Sequence, residues 1–315
     1  MSKLKTKEIL RKMFLEDPYA DETNATVKKE SSLMYKIISK KTLNPTVISM
    51  DIEAPLVARK AKAGQFIILR VDENGERIPL TVAGCDKNRG TVRIIFQIVG
   101  ATTMLLGEKN EGEYISDFAG PLGNPTNTDG IKNVCVVGGG VGCAIALPVA
   151  EEFHRLGAKV TSVVGFRSKD LVILEDDFAR CSDSLTVMTD DGSYGQKGNV
   201  TLPLKELLEG GEKFDMIIAI GPLVMMKFVV LTAKPFGVPV TVSMNPIMID
   251  GTGMCGGCRL TLVKDGQRLM KFACVDGPDF NGYEVDFDEA MSRSRMYRDF
   301  ERHAYESTCN LLKKG

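Results

Sequence analysis

The sequence predicts a mixed chain, with a small antiparallel β-barrel first, a doubly wound parallel α/β sheet second and a compact cysteine-bearing segment last. Three observations carry this expectation. Short alternating or β-branched runs separated by Gly, Pro and Asn begin at Met34; a buried-strand run, Asn133–Val137, leads straight into Gly138-Gly139-Gly140-Val141-Gly142 and an Ala-rich helical stretch; and beyond Val242 cysteines crowd into a glycine-rich segment. The expected boundaries are 1–33 for an N-terminal extension, 34–127 for the barrel, 128–243 for the α/β domain and 244–315 for the cysteine segment with a helical tail.

In residues 1–33, Ile9, Leu10, Met13 and Phe14 recur at helical spacing before Pro18, which reads as a short amphipathic helix and a polar linker, either packed on its own domain or docking another subunit. The runs Val47–Ile52, Gln65–Val71, Thr91–Ile98 and Glu113–Phe118 have the period and composition of strands in a small antiparallel barrel or sandwich. Arg77–Thr81 is read as lying between strands. After the helix that ends near Leu156, Val160–Val164, Leu185–Met188 and Met216–Ile220 are further strand candidates, and the alternation with helices indicates a parallel sheet. A polar helix-like tail starts near Phe287.

Composition narrows the function classes. Lys and Arg number 40 and Asp and Glu 41, so no net field favours a nucleic acid, and no stretch approaches the length of a membrane span. The acidic N-terminal residues Glu16, Asp17, Asp21 and Glu22 argue against a transit peptide. Eight cysteines in a chain of 315 residues suit free thiols and metal ligands in a reducing cytoplasm better than a disulfide framework. His154 and His303 both fall in charged, helix-like stretches that read as solvated surface.

Three motifs carry chemistry. Glycines at 138, 139, 140 and 142, between a strand and a helix N-terminus, would let a dinucleotide pyrophosphate approach main-chain N–H groups, although tight turns also use glycine for steric reasons alone. Leu80 and Thr81 could supply a flavin with an apolar wall and a donor, and the Gly100–Thr103 turn could supply N–H groups for its diphosphate; alone, this is a strand followed by a turn. Asp250, Cys255 and Cys258, with a distant Cys274, repeat the plant-type ferredoxin spacing Cys-x4-Cys-x2-Cys…Cys with Asp in the first place. The same donors could hold a structural zinc, but zinc sites usually pair two Cys-x-x-Cys knuckles and only one is present. Cys85, Cys135, Cys143, Cys181 and Cys309 have no ligand spacing.

The order of these modules resembles the ferredoxin–NADP reductase superfamily, and more closely the branch of dihydroorotate dehydrogenase electron-transfer subunits that includes the small subunits of NADH-dependent reduced ferredoxin:NADP oxidoreductases and sulfide dehydrogenases. The likeness starts near Met34. It lies in Ile78-Pro79-Leu80-Thr81, Gly120-Pro121-Leu122-Gly123, the glycine turn, Arg167-Ser168-Lys169-Asp170-Leu171, Thr189-Asp190-Asp191-Gly192-Ser193-Tyr194-Gly195, Gly221-Pro222 and Asn245-Pro246-Ile247-Met248. Asp250 in place of Cys matches the small-subunit branch.

The resemblance implies a flavin-binding barrel, a nucleotide-binding sheet and a small [2Fe–2S] domain. It implies FAD bound by Pro79, Leu80, Thr81, Gln97, Val99, Gly100, Thr102 and Thr103, and NAD(H) bound by Gly138, Gly139, Gly140, Gly142, Asp191, Gly221 and Pro222. Asp250, Cys255, Cys258 and Cys274 become cluster ligands. A larger flavoprotein subunit that binds NADP(H) and ferredoxin is the implied partner, in a complex performing electron bifurcation. One departure stands out: the superfamily places Arg three residues before the Ser/Thr of its flavin motif, where this chain has Ile78, with Arg77 one position earlier.

Overall fold

The computed structural model describes residues 34–312, with side chains to 306. The expected N-terminal helix and linker, and Cys309, lie outside these described parts. No helix among the described residues is long and apolar enough to cross a membrane.

Seven strands form the first sheet: β1 (Tyr35–Asn44), β2 (Val47–Glu53), β3 (Phe66–Arg70), β4 (Arg77–Asp86), β5 (Thr91–Gln97), β6 (Tyr114–Ile115) and β7 (Asp117–Leu122), in the order β6-β1-β2-β5-β4-β3-β7 with all pairs antiparallel. Alternation fixes which face is inside. Ile48, Met50 and Ile52 of β2 stand opposite Phe96, Ile94 and Val92 of β5, and all six are buried. Burying one such side chain contributes roughly 1.5–3 kcal/mol, and a one-residue slip in register would turn all of them outward. The Glu113–Phe118 run is not one strand but two: β6 pairs with β1 at one edge of the sheet, and after Ser116 the chain pairs as β7 with β3 at the other. That switch joins the two edges and nearly closes the barrel. Arg77–Thr81 is not a connection between strands; it is the first half of β4.

Helix α1 (Pro55–Lys60) caps one end of the barrel, and α2 (Ala101–Glu108) follows β5. The second sheet then begins with β8 (Asn133–Gly139), followed by α3 (Cys143–Arg155), β9 (Lys159–Phe166), α4 (Glu175–Cys181), β10 (Ser184–Thr189), β11 (Gln196–Lys197), α5 (Thr201–Glu209), β12 (Met216–Ile220), α6 (Leu223–Ala233) and β13 (Val240–Ser243). Its order is β11-β10-β9-β8-β12-β13 and then a later strand, β16 (Asp279–Asn281), and it is parallel except for that last strand. Val134–Val137 of β8 and Met216–Ile220 of β12 are apolar without a break because both faces are covered. Val134 and Val136 pack with α3 and α4 together with Val47, Ala83 and Ile95 of the barrel; Cys135 and Val137 pack with α5 and α6.

The last segment folds as a hairpin, β14 (Arg259–Lys264) and β15 (Gln267–Phe272), turned by Asp265-Gly266, both with positive φ as a two-residue hairpin turn requires. Then come α7 (Ala273–Asp276), β16 (Asp279–Asn281), α8 (Phe287–Arg293) and α9 (Arg298–Leu312). Strand β16 pairs with β13, so the cysteine segment completes the parallel sheet's edge.

Candidate functional site

The glycine turn lies at the carboxyl end of β8, the central strand flanked by β9 and β12, where the chain order reverses direction across the sheet. Such a switch point opens the crevice that binds nucleotides in open α/β sheets. Packing alone crowds three of its glycines, Gly138 among them, whose Cβ would lie 2.9 Å from Cys143 Sγ. A Cβ on Gly142 would lie 2.6 Å from the Ile220 carbonyl oxygen and 2.7 Å from Gly221 Cα, and one on Gly139 would collide with Met225 Sδ and crowd Pro222. Gly140 differs: its φ is +56° and a Cβ there would meet nothing within 4 Å, so its backbone faces open space. The structure therefore brings Gly139, Gly142, Gly221 and Pro222 together at one point of the crevice.

One edge of that crevice is built by the loop after β10. Asp191 Oδ1 accepts from the Ser193 amide at 2.9 Å and the Ser193 hydroxyl at 2.6 Å, and the Ser193 oxygen accepts from the Lys169 amide at 2.8 Å. These Ser193 bonds hold the exposed Asp191 carboxyl below its ordinary range. Tyr194 donates its hydroxyl to Glu175 at 3.0 Å, and the Lys169 ammonium lies 5.6 Å from the Tyr194 ring centroid. Asp191 also donates its amide to the Arg167 carbonyl at 3.3 Å. The edge thus presents one fixed carboxylate, whose charge the nearby Lys197 favours.

On the barrel, Pro79, Leu80 and Thr81 are half-buried in β4, opposite Ile68, Ile67 and Phe66 of β3. Gln97 ends β5, with its amide 3.4 Å from the Thr46 hydroxyl. Val99 is 71% exposed at the head of α2. The Thr103 hydroxyl accepts from the Val99 and Gly100 amides, both at 3.0 Å, so it serves the turn itself. The Thr102 hydroxyl donates to Glu76 at 3.0 Å. Arg77 stands opposite Arg70 across β3 and β4, and both point to one carboxylate: Asp117 Oδ2 is 2.6 Å from Arg70 Nε and 4.0 Å from Arg77 Nη2.

The cysteine loop closes on Asp250. Its Oδ1 accepts from the Thr252 amide and its Oδ2 from the Cys255 amide, each at 2.7 Å; the Thr252 bond is the main reason its carboxyl lies below the ordinary range. Cys255 is exposed on the loop, its sulfur 3.4 Å from the Gly257 amide. Cys258 and Cys274 are buried with their sulfurs 3.2 Å apart, too far for a disulfide, and the Ala273 amide donates to the Cys258 carbonyl, which ties α7 to the loop. Burial, with Cys258 alongside, raises the Cys274 thiol. Two of the four expected ligands are therefore in contact, and the other two share the loop rim. Among the described residues no three His, Cys, Asp or Glu side chains converge as a ready metal-ligand group. The donor set still fits an iron–sulfur cluster, because two reduced thiols meet in an apolar recess beneath a short loop that carries a third thiol and an ionised carboxylate. The remaining described cysteines serve packing: Cys135, Cys143 and Cys181 are buried, Cys85 is half-buried against the barrel core, and burial pushes the Cys135 thiol up to about 12.

The cluster loop also leans on the barrel. Gly251 has φ +76°, and a Cβ there would lie 2.6 Å from Leu122 Cδ1 and 2.9 Å from Ile68 Cδ1. Ile68 is the β3 residue paired with Pro79. Phe66 and Ile68 share one hydrophobic core with Cys258, Leu260 and Cys274.

A barrel of this kind followed by a parallel nucleotide-type sheet defines a ferredoxin reductase-like oxidoreductase, here with a cysteine module added. The ferredoxin reductase in carbazole 1,9a-dioxygenase shows the same fold at 16% identity, with a TM-score of 0.56 over 67% of this chain and 68% of that one. Residues 245–286 match the iron–sulfur cluster binding domain of dihydroorotate dehydrogenase B. The Thermotoga maritima homologue of the dihydroorotate dehydrogenase B (NAD(+)) electron transfer subunit is 48% identical over 86% of this chain and 94% of its own length. A structure of NADH-dependent reduced ferredoxin-NADP oxidoreductase, determined for insight into flavin-based electron bifurcation, is 47% identical with a TM-score of 0.81, covering 87% of this chain and 97% of that one. The chain belongs to the family of dihydroorotate dehydrogenase B electron-transfer subunits and their homologues.

Proposed function

We propose that this chain is the NAD(H)-side electron-transfer subunit of a ferredoxin:NAD(P) oxidoreductase complex. In this reading residues 34–127 bind FAD, 128–243 bind NAD(H), and 244–315 carry a [2Fe–2S] cluster on Asp250, Cys255, Cys258 and Cys274. When bound, the flavin would accept the hydride of NADH and give up its two electrons one at a time, the proton passing to solvent, and the cluster would relay those electrons to a larger flavoprotein subunit.

The chain's own residues have simpler tasks. Pro79, Leu80 and Thr81 offer the flavin ring a wall and a donor, with Gln97 beside them at the end of β5. Val99, Gly100, Thr102 and Thr103 head a helix whose amino end suits a diphosphate. Gly138, Gly139, Gly140 and Gly142 bring main chain close to a dinucleotide, Gly221 and Pro222 border the nicotinamide end, and Asp191 stands at the ribose end. Hydride transfer needs close stacking of two rings more than a proton donor. No general acid or base is invoked.

The observation that carries the reading is the seat of Gly251 against Ile68 and Leu122. It sets the cluster loop one strand away from the flavin strand β4, a separation suited to single-electron exchange between the two groups. The partner, ferredoxin and NADP(H) are taken from the likeness to the ferredoxin-NADP oxidoreductase structure. The test is anaerobic purification with flavin and iron analysis and a visible spectrum. Flavin bands with about two irons per chain support the reading. A colourless protein that holds zinc, or an iron-loaded subunit that binds no large flavoprotein on co-expression, overturns it in part or whole.

A further inference from the structure

We infer that Thr126 and Asp279, together with Asn124, are positioning residues that hold the cluster's Cys274 at a fixed separation from the flavin barrel. The inference rests on the electron-transfer reading above and adds to it the part of the chain that sets the geometry.

The linker Gly123–Thr126, which leaves β7 for the parallel sheet, is bonded on two sides. Toward the barrel, the Gln65 side chain donates to the Gly123 carbonyl at 2.7 Å, and the Thr126 amide donates to the Ala63 carbonyl at 3.0 Å. Ala63 and Gln65 immediately precede β3, the strand that pairs with the flavin strand. Toward the cluster, the Asn124 amide donates to the Gly277 carbonyl at 2.7 Å and its side chain to the Val275 carbonyl at 3.1 Å. Val275 directly follows Cys274. The Thr126 hydroxyl then donates to Asp279 Oδ2 at 2.6 Å, where β16 begins. A short path of directional bonds thus runs from the root of β3 to both ends of the turn that follows Cys274.

Asp279 is an unusual choice for that place. Its Oδ1 is buried without an aligned hydrogen-bond partner among the described residues, and burial raises its carboxyl above the ordinary range although the Thr126 and Ser243 hydroxyls pull it back. An apolar residue would fill the space at lower desolvation cost. What the carboxyl group adds is direction: its Oδ2 accepts from the Thr126 hydroxyl and fixes how β16 sits on the linker. Strand β16 has only three residues, so sheet pairing alone gives α7 little hold.

The experiment uses the full-length protein loaded with flavin and iron. T126V removes the hydroxyl at nearly constant shape, and T126S returns it. Stopped-flow traces follow flavin reduction by NADH and cluster reduction separately. T126V is expected to slow electron arrival at the cluster severalfold, while flavin reduction keeps its rate. T126S is expected to restore the wild-type rate. Amide hydrogen exchange provides a readout independent of turnover: residues 274–281 should exchange faster in T126V, with β8 and β9 unchanged. An unchanged cluster step, an equal slowing of both steps, or a serine variant that fails to recover overturns the inference. A wild-type protein that binds flavin and iron yet passes no electron between them defeats the functional reading, and this inference with it.

Discussion

Cys258 and Cys274, sixteen residues apart in sequence, meet with their sulfurs 3.2 Å apart in a recess closed by the Asp250 loop. Neither thiol gains much from the other, since a thiol is a weak donor and a weak acceptor. In the proposed reading a metal centre bonded to both accounts for the pairing. Serine at Cys258 is therefore expected to abolish iron retention, whereas serine at the core residue Cys135 leaves iron at the wild-type level. Iron analysis after anaerobic desalting reads both, and full iron in C258S would sink the ligand assignment.

The contact between Gly251 and the barrel gives a second expectation. Alanine at 251 places a methyl group into Leu122 and Ile68 at a positive φ, and such overpacking costs about 1–3 kcal/mol. The loop must move off the barrel. The G251A protein is expected to show a lowered melting temperature and slower transfer from flavin to cluster, with NADH oxidation by a flavin-directed dye retained. Unchanged cluster kinetics would show that the loop's seat on Ile68 is incidental.

Much of this architecture was legible in the sequence, and the failures have physical causes. The strand, glycine turn and helix over residues 133–155 could be read because a strand buried on both faces is apolar without interruption. The iron–sulfur segment that carries Asp250, Cys255 and Cys258 could be picked out because its spacing is local. Strand β4 was hidden by Pro79 and the charged residues before it, since proline removes a ladder donor and is depleted inside sheets. Strand β16 has little strand composition beyond Phe280; Asp279 and Asn281 pair there because β13 offers a free edge. The Thr126–Asp279 bond joins residues 153 apart, a distance at which neither periodicity nor local spacing carries information.

The glycine turn separates packing from ligand binding. Alanine at Gly142 strikes the Ile220 carbonyl and Gly221, so G142A is expected to lose about 1–3 kcal/mol of stability and NADH affinity together. Alanine at Gly140 enters open space and pays only the left-handed backbone cost of about 1–2 kcal/mol. Calorimetry with NADH titration distinguishes the two. If G140A keeps full NADH affinity while its methyl group points into the crevice, the dinucleotide does not approach that side of the turn.

Asp279 sets a pH dependence opposite in sign to that of most paired carboxylates. Its folded-state value lies above the ordinary 3.8, chiefly through burial. The folded protein therefore holds this proton more tightly than the unfolded chain does, and the corresponding stability is fully present below pH 3.8 and is lost as pH rises through the folded value. Asparagine cannot ionise and still offers an oxygen to Thr126. The melting temperature of D279N relative to wild type is thus expected to rise with pH across that window and level off above it. A difference that stays constant with pH, or falls, would mean that Asp279 ionises in the folded protein at least as readily as in the unfolded chain, and that burial does not govern it.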